Sequence, residues 1–393
     1  MENRVFPISK LNIEVLDGDR GKNYPHQDEL FKKGHCLFLS ASNVTRDGFQ
    51  FGSTMFISKE KDEVLRGGKL CRNDIVITTR GTVGNVAYYD ENVPYKDIRI
   101  NSGMLIVRCG KELNSKYVYY VLRSPEFQKQ IRSIQTGSAQ PQLPKSHFIK
   151  MLICVPKLEI QNKITSILSV LDRKIENNAK INDNLQQQAA ALFANFYDQA
   201  ETEIGFTEIV QILSGGTPKT GESSYWNGNV PFFTPKDVGL PYTLTTEKTI
   251  TEEGLAHCNS RLYPINTVFV TARGTVGKVG LAGVPMAMNQ SCYALDGKNT
   301  HQLLVYFYTL KAVDRLKHKA SGAVFDAITT RDFDSEIIMK LSDDDAGAFL
   351  DVAEPIYQAI LSNSIENLRL AALRDSLLPK LISGEIDVSD VKL

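Results

Sequence analysis

One domain written twice constrains this chain more than any other feature. The run Asn73-Asp74-Ile75-Val76-Ile77-Thr78-Thr79-Arg80-Gly81-Thr82-Val83-Gly84 returns as Asn266-Thr267-Val268-Phe269-Val270-Thr271-Ala272-Arg273-Gly274-Thr275-Val276-Gly277, at an offset of 193. Upstream, Val15-Leu16-Asp17-Gly18 matches Ile212-Leu213-Ser214-Gly215 at 197. Downstream, Ile100-Asn101 matches Met288-Asn289 at 188, and Gly137 with Phe148 matches Gly322 with Phe333 at 185. Ordered matches at steadily shrinking offsets mean two copies of one domain, the second shortened in its loops.

Each copy ends in a long segment of helical periodicity. Apolar residues recur at Ile164, Leu168, Leu171, Ile175, Leu185, Ala189, Leu192 and Phe196, and 185 residues later at Phe349, Ala353, Ile356, Ile360, Leu370, Arg374, Leu377 and Leu381. Steps of four and three make an a/d seam, suited to pairing with another long helix. Each seam is interrupted by asparagines at matching places, Asn178 and Asn182 in one and Asn363 and Asn367 in the other. A buried Asn destabilises unless it meets a hydrogen-bonding partner, so matched Asn layers fix register. Antiparallel helices would set Asn178 level with Asn367 and Asn182 level with Asn363. Two helices packed independently, each on its own domain, would have no need of the match.

The remaining sequence reads as mixed α and β. Asp74–Thr79, Met104–Arg108, Thr267–Thr271 and Phe148–Val155 are apolar, β-branched runs bounded by Gly, Asn or Pro, and predict strands. Lys116–Leu122 and Gln302–Leu310 predict aromatic-rich helices. The expected division is copy one over 1–156 with its helix at 157–200, then copy two over 201–341 with its helix at 342–393. No apolar run approaches the ~18 residues of a membrane span. The N-terminus has no apolar segment behind its charge, so a secretory signal is not expected. The six cysteines are scattered without a C-x-x-C pair, which fits reduced thiols and not a disulfide scaffold or zinc ribbon.

Formal net charge is 0, which taken alone argues against a polyanionic partner. The average conceals a gradient. Residues 1–156 carry 23 Lys and Arg against 16 Asp and Glu, residues 201–341 carry 13 against 14, and residues 342–393 carry 4 against 10. A basic first copy is compatible with nucleic acid, although charge cannot be the whole recognition device.

Marks of catalysis are missing. There is no G-x-G-x-x-G, no G-x-x-x-x-G-K-[ST], no H-E-x-x-H, no G-x-S-x-G and no E-x-K, and the histidines have no metal-ligand spacing. Gly215-Gly216-Thr217-Pro218-Lys219-Thr220 imitates a phosphate loop, but Pro218 removes a backbone donor such a cradle needs. Asn92-Val93-Pro94-Tyr95 and Asn229-Val230-Pro231-Phe232 resemble the N-P-P-Y/F site of amino-methyltransferases with Val in place of the first Pro. No glycine-rich cofactor loop accompanies them, so they predict turns that lead into strands. A chain without catalytic chemistry or a bound metal is expected.

What remains are residues suited to a partner. In both R-G-T-V-G segments two glycines three apart permit a tight turn, from which Arg80, Gly81 and Thr82, or Arg273, Gly274 and Thr275, project with Lys278 close behind. Arg suits bidentate contact with phosphate or a guanine edge, and Thr suits a phosphate oxygen. The alternative is a structural hairpin whose Arg pairs with a carboxylate; retention of Arg in both copies favours the functional role. Equivalent loops early in each copy offer Lys22 and Asn23, or Lys219 and Thr220, among small residues that let a backbone approach a duplex. Trp226, the only Trp, reads as a plug between elements. Gln140, Gln142 and Lys145 sit in a polar loop that is either solvated or reads an adenine edge.

These residues carry a resemblance. The order domain–helix–domain–helix resembles the specificity (S) subunit of type I restriction–modification systems. So do R-G-T-V-G in both copies, Ser214-Gly215-Gly216-Thr217-Pro218 with Tyr225-Trp226-Asn227-Gly228-Asn229-Val230-Pro231, and Leu377-Leu378-Pro379-Lys380-Leu381-Ile382-Ser383-Gly384-Glu385-Ile386. Val155-Pro156-Lys157-Leu158-Glu159-Ile160-Gln161 is similar to the family's P-x-L-E-x-Q start of the first helix. Lys340-Leu341-Ser342-Asp343-Asp344-Asp345 departs from that pattern, and Ser321-Gly322-Ala323-Val324-Phe325 replaces the Gln-rich loop. The resemblance implies an α+β fold with two mixed α/β target recognition domains. Two long helices join them as an antiparallel coiled coil with pseudo-twofold symmetry. It also implies a non-catalytic, cytoplasmic bacterial or archaeal subunit that reads a bipartite site in double-stranded DNA. Two methyltransferase subunits would dock on it, binding S-adenosylmethionine and flipping adenine, with restriction–translocase subunits using ATP and magnesium joined through them. No cofactor is implied for this chain itself. A helix of ~38 residues spans ~57 Å, compatible with half-sites about one DNA turn, ~34–36 Å, apart. The competing reading is a tandem-domain protein-interaction scaffold that does not bind DNA.

Overall fold

The duplicated sequence builds duplicated sheets. The computed structural model describes residues 4–134, 142–239, 241–319 and 327–391. In copy one the strands Ile13–Asp17, Met104–Cys109, Ile75–Thr78 and Val86–Tyr88 are neighbours in that order, all antiparallel. Copy two repeats the order as Val210–Ser214, Cys292–Gly297, Val268–Thr271 and Val279–Ala282, and adds Tyr242–Thr243 in parallel at the edge. The register repeats as well: Val15, Val107 and Ile75 lie abreast in the first sheet, and Ile212, Leu295 and Val268 in the second. Ile75–Thr78 and Val268–Thr271 are apolar almost throughout because both faces of these central strands are buried. Ile75 and Ile77 face one cluster and Val76 the opposite one, as the two-residue period of a strand requires.

Two smaller sheets are also repeated. Phe56–Ile57, Cys36–Leu39 and Ile98–Ile100 correspond to Lys248–Ile250, Trp226–Phe233 and Ala287–Met288, each set with one antiparallel and one parallel pairing. The pair Val5–Pro7 with Leu152–Cys154 corresponds to Thr202–Gly205 with Ile337–Lys340. On the main sheet of copy one, helix Ser115–Arg123 stops where Ser124 precedes Pro125, and a new helix, Pro125–Ile134, begins. Proline disfavours helical geometry in the residue before it. Copy two has Lys311 and Ala312 in that region, and its helix runs unbroken over Gln302–Lys319.

The two long helices cover Leu158–Gln199 and Asp343–Ser383. The first starts on Pro156, whose carbonyl accepts a 2.9 Å bond from the side chain of Gln161, 1 % exposed; the amide oxygen of Gln161 accepts Asn114 N–H. The second starts at Ser342, whose Oγ accepts Asp345 N–H at 3.1 Å in place of the absent Pro and Gln. It ends at Gly384, with φ of 77°, the left-handed position that closes a helix at low cost when the residue is Gly. Among the described residues no helix is long and apolar enough to cross a membrane.

The chain forms two compact units, and both long helices contribute to each. Unit one joins Met1–Arg173 to Leu370–Leu393, and unit two is Lys174–Arg369. In unit one Ile164 and Leu168 share a core with Leu378, Leu381 and the aromatic helix Ser115–Arg123. In unit two Phe193, Phe349, Ala353, Tyr357 and Ile360 pack with Phe307 and Tyr308. Each large apolar side chain among these contributes ~1.5–3 kcal/mol by burial. The helices run antiparallel within each unit. In unit one Asp172 meets Arg374 at 2.8 Å. In unit two Asn178 Nδ2 donates to Asn367 Oδ1 at 2.9 Å, and Asn363 Nδ2 to Asn182 Oδ1 at 2.8 Å. The same amides also donate to Ile360 O, Ser364 Oγ, Ile175 O and Glu366. Asn178 and Asn182 are buried, while Asn363 and Asn367 are half-buried. Bonds from Asn178 and Lys174 hold the Glu366 carboxyl below its ordinary range.

Two sequence expectations are corrected. The strand expected over Phe148–Val155 is confined to Leu152–Cys154, because Lys145–Phe148 forms a helical turn. Pro144 stands immediately before that turn with φ of −62°, and its carbonyl accepts Phe148 N–H at 3.0 Å. Asn229-Val230-Pro231-Phe232 is not a turn; it lies inside the bulged strand Trp226–Phe233, while Asn92–Tyr95 does form a bend ahead of a strand.

The Asn layer can be tested through stability. Asn178→Leu removes the donor to Asn367 Oδ1 and should cost ~1–3 kcal/mol in chemical denaturation. Changing Asn178, Asn182, Asn363 and Asn367 together to Leu should leave stability unchanged or raised while loosening register. A quadruple variant less stable than the single one contradicts a register role.

Candidate nucleic-acid interface

The two R-G-T-V-G segments form one turn built twice. In copy one the buried Thr78 hydroxyl donates to Thr82 O and accepts Asn85 N–H at 3.0 Å, while Gly84 N–H reaches Thr78 O at 2.9 Å. In copy two Thr271 donates to Thr275 O and accepts Lys278 N–H at 2.9 Å, and Gly277 N–H reaches Thr271 O at 2.8 Å. The chain must enter the left-handed region twice per turn, at Gly81 (73°) and Gly84 (94°), then at Gly274 (82°) and Gly277 (73°). Only glycine does so without steric cost, which explains the glycine spacing that the copies share.

Three further segments hold each turn. Thr79 and Arg80 both donate their N–H groups to Gly103 O, as Ala272 and Arg273 do to Ser291 O. The side chains of Asn101 and Asn289 shape those supporting turns by accepting Gly103 N–H at 2.8 Å and Ser291 N–H at 3.0 Å. Leu143 N–H bonds Thr79 O, and Ile328 N–H bonds Ala272 O. The early loops close against the same place. A Cβ at Gly18 would lie 2.3 Å from Asn101 O, and one at Gly215 would lie 2.2 Å from Asn289 O. The repeat offset is the only sequence signal at Asn101 and Asn289; their role in holding the turn depends on the fold.

Arg80, Gly81 and Thr82 are exposed, as are Arg273, Gly274 and Thr275. Neither arginine side chain has a hydrogen-bond or ion-pair partner among the described residues. Thr275 Oγ1 is engaged with Pro235 O at 3.1 Å. Lys22, Gln142, Lys145, Lys219 and Thr220 are exposed. Lys145 comes within 3.9 Å of Asp17, the carboxylate that also binds Arg20 at 3.0 Å. Asp19 organises the first loop by accepting Gly21 N–H and Arg66 N–H, bonds that lower its pKa. The structure ties Asn23 into the scaffold, through its amide to Val64 O at 3.3 Å and its carbonyl to Lys61. It places Lys278 in a groove with Leu310, Asp314 and Lys317, behind the turn. Trp226 donates to Lys219 O at 3.1 Å and packs edge-on to Phe232. Gln140 and residues 321–325 lie outside the described residues.

A further polar cluster in copy one could be taken for a metal site. His35, Asp62 and Asp97 converge. Lys69 sits between the carboxylates at 2.6 and 2.7 Å and Arg99 reaches Asp62 at 2.5 Å, so two protein cations already balance two carboxylates.

Residues 13–187 and 202–340 match the type I restriction modification DNA specificity domain. The chain belongs to this family. Its relatives include specificity subunits of type I restriction enzymes. The MjaIX specificity subunit of Methanocaldococcus jannaschii is 22 % identical over 346 residues, covering 81 % of this chain and 79 % of that one. The HindI specificity subunit of Haemophilus influenzae is 21 % identical, covering 94 % and 98 %. The fold is shared with the type I restriction–modification S subunit from M. genitalium, with a TM-score of 0.54 at 16 % identity, covering 97 % of this chain and 96 % of that one.

The close approach beneath each specificity-domain turn is testable by substitution. Gly18→Ala and Gly215→Ala should each lose ~1–3 kcal/mol, because the added methyl must displace backbone. Gly221→Ala, which meets nothing within 4 Å, should change stability by less than ~0.5 kcal/mol. Equal denaturation midpoints for all three proteins would contradict the packing described.

Proposed function

We propose that this chain is the non-catalytic DNA-reading subunit of a type I restriction–modification complex. One observation carries the proposal: the same exposed Arg–Gly–Thr turn is built twice, on the same three supporting segments, with an unpartnered arginine in each among the described residues. A duplex presents phosphates and base edges twice to a reader with two heads, and duplicated readers address two half-sites. Arg80 and Arg273 would make the principal contacts, with the Thr82 hydroxyl beside Arg80, whereas the Thr275 hydroxyl donates its one hydrogen to Pro235 O. Lys22, Lys145 and Gln142 would rim the first head and Lys219 and Thr220 the second. Family membership supports the rest of the assembly. Methyltransferase subunits would dock on this chain and supply S-adenosylmethionine chemistry, and restriction–translocase subunits would join through them with ATP and magnesium.

The test is binding of the assembled subunit–methyltransferase complex to its own bipartite duplex and to random duplex. Arg80→Ala and Arg273→Ala should each weaken binding by ~1–3 kcal/mol with unchanged melting temperature. A base-reading arginine relaxes one position of the site, whereas a phosphate contact weakens all sequences alike. Unchanged affinity for both variants, or no DNA binding by the complex at all, contradicts the proposal; the latter result favours a protein-interaction scaffold.

A further inference from the structure

The four asparagines fix register but cannot choose a partner. Asn178 and Asn182 occupy the same places in the first long helix as Asn363 and Asn367 in the second. A first helix laid antiparallel on the first helix of a second copy would bring Asn178 opposite Asn182 and fill the layer equally well. The second helix could pair with itself in the same way. Something else must distinguish the two helices.

A charged layer does. In unit one Asp172 and Arg374 are joined at 2.8 Å with only 13 % and 12 % of their side chains exposed. Buried Tyr120 donates its hydroxyl to the other oxygen of Asp172. The position 185 residues after Asp172 is Tyr357, and the position 185 before Arg374 is Ala189. Phe307, on the helix equivalent to that of Tyr120, packs its ring 5.7 Å from Tyr357, and Ala189 is fully buried. One unit therefore closes this layer with charge, the other with aromatic rings and a methyl.

We propose that Tyr120, Asp172 and Arg374 form a pairing-specificity surface that accepts the second long helix and rejects another copy of the first. In a first-with-first pairing each Asp172 would face Ala189, leaving two buried carboxylates without a cation. In a second-with-second pairing each Arg374 would face Tyr357 and lose its buried anion Asp172, keeping only Asp375 of its own helix, 2.8 Å away and 64 % exposed. A buried ion pair adds little net stability, but a buried charge that has lost its partner is strongly destabilising, so the discrimination comes from the wrong pairings. Lys174 and Glu366, 3.2 Å apart, act in the same sense but are 49 % and 43 % exposed, where such a pair counts for little. This choice of partner helix does not depend on what the chain recognises.

The test uses the whole chain with one cut. A protease site inserted between Ala200 and Glu201 leaves both long helices intact. After cleavage and prolonged incubation, native mass spectrometry counts one-to-one complexes of the two fragments against homodimers of either. The cut wild-type protein should remain wholly one-to-one. The variant Tyr120→Phe, Asp172→Tyr, Arg374→Ala copies the layer of unit two and should release homodimers of each fragment toward their statistical share. Asp172→Asn with Arg374→Gln keeps both side chains polar, removes both charges, and should shift in the same direction. Melting curves establish which variants are folded. Homodimers from the cut wild-type protein overturn the proposal whatever the variants do, and so does a folded variant that stays wholly one-to-one.

Discussion

The hydrogen bonds between Asn178 and Asn367 and between Asn182 and Asn363 are the constraint on which the architecture turns. A seam of Leu, Ile and Ala is tolerant of sliding, since one apolar layer packs nearly as well on the next. An amide is not tolerant, because displacement by one layer leaves its donor and acceptor against hydrocarbon. The four amides thus convert a sticky pair of helices into one with a single alignment. Both helices contribute to both units, and each globular copy packs on them through its own core: Ile164 and Leu168 in one, Phe193 and Tyr357 in the other.

Duplication and asymmetry divide the work. What is repeated is the framework: sheet order, register, the Gly18 and Gly215 contacts, and the turn closed by Thr78 or Thr271. What differs is peripheral to it. Copy one breaks its aromatic helix at Pro125, gathers Asp62, Lys69, Asp97 and Arg99 into a charge cluster, and closes its helix layer with Asp172 and Arg374. Copy two uses an unbroken helix and aromatic packing in place of the split helix and the charged layer. In the proposed function the framework presents arginines in the same way twice, while the loops around each are free to diverge.

Much of this is legible in the amino-acid sequence alone. Repeat offsets of 197, 193 and 188 between the copies are also the offsets that relate strand pairs across the two sheets, since a matched pair of strands must keep its partner. The asparagine partners follow from seam arithmetic. The seam alone misses Phe193, Tyr197 and Tyr357, because a helix that packs on a domain as well as on another helix buries a wider stripe than two positions in seven. Arg374 stands in the apolar series as an anomalous member; Asp172, off that series, supplies its partner. At the candidate interface the two glycine-bearing turns are readable from local geometry. The roles of Asn101, Asn289 and Asn23 are not, because the turns and loops they brace are assembled from segments far apart in sequence.

In the proposed function the aligned helices set the spacing between two otherwise separate readers. Inserting seven residues into both long helices beside the asparagines tests this most directly. Each insertion adds ~10 Å at ~1.5 Å per residue, equivalent to about three base pairs at ~3.4 Å each, and preserves the heptad phase. The added base pairs rotate one half-site by roughly a third of a turn, so activity is a poor readout and the recognised sequence is the right one. Mapping the sites methylated by the altered subunit with its partner should return both half-sites unchanged, separated by a spacer about three base pairs longer. Recovery of the original spacer at full activity would contradict the account.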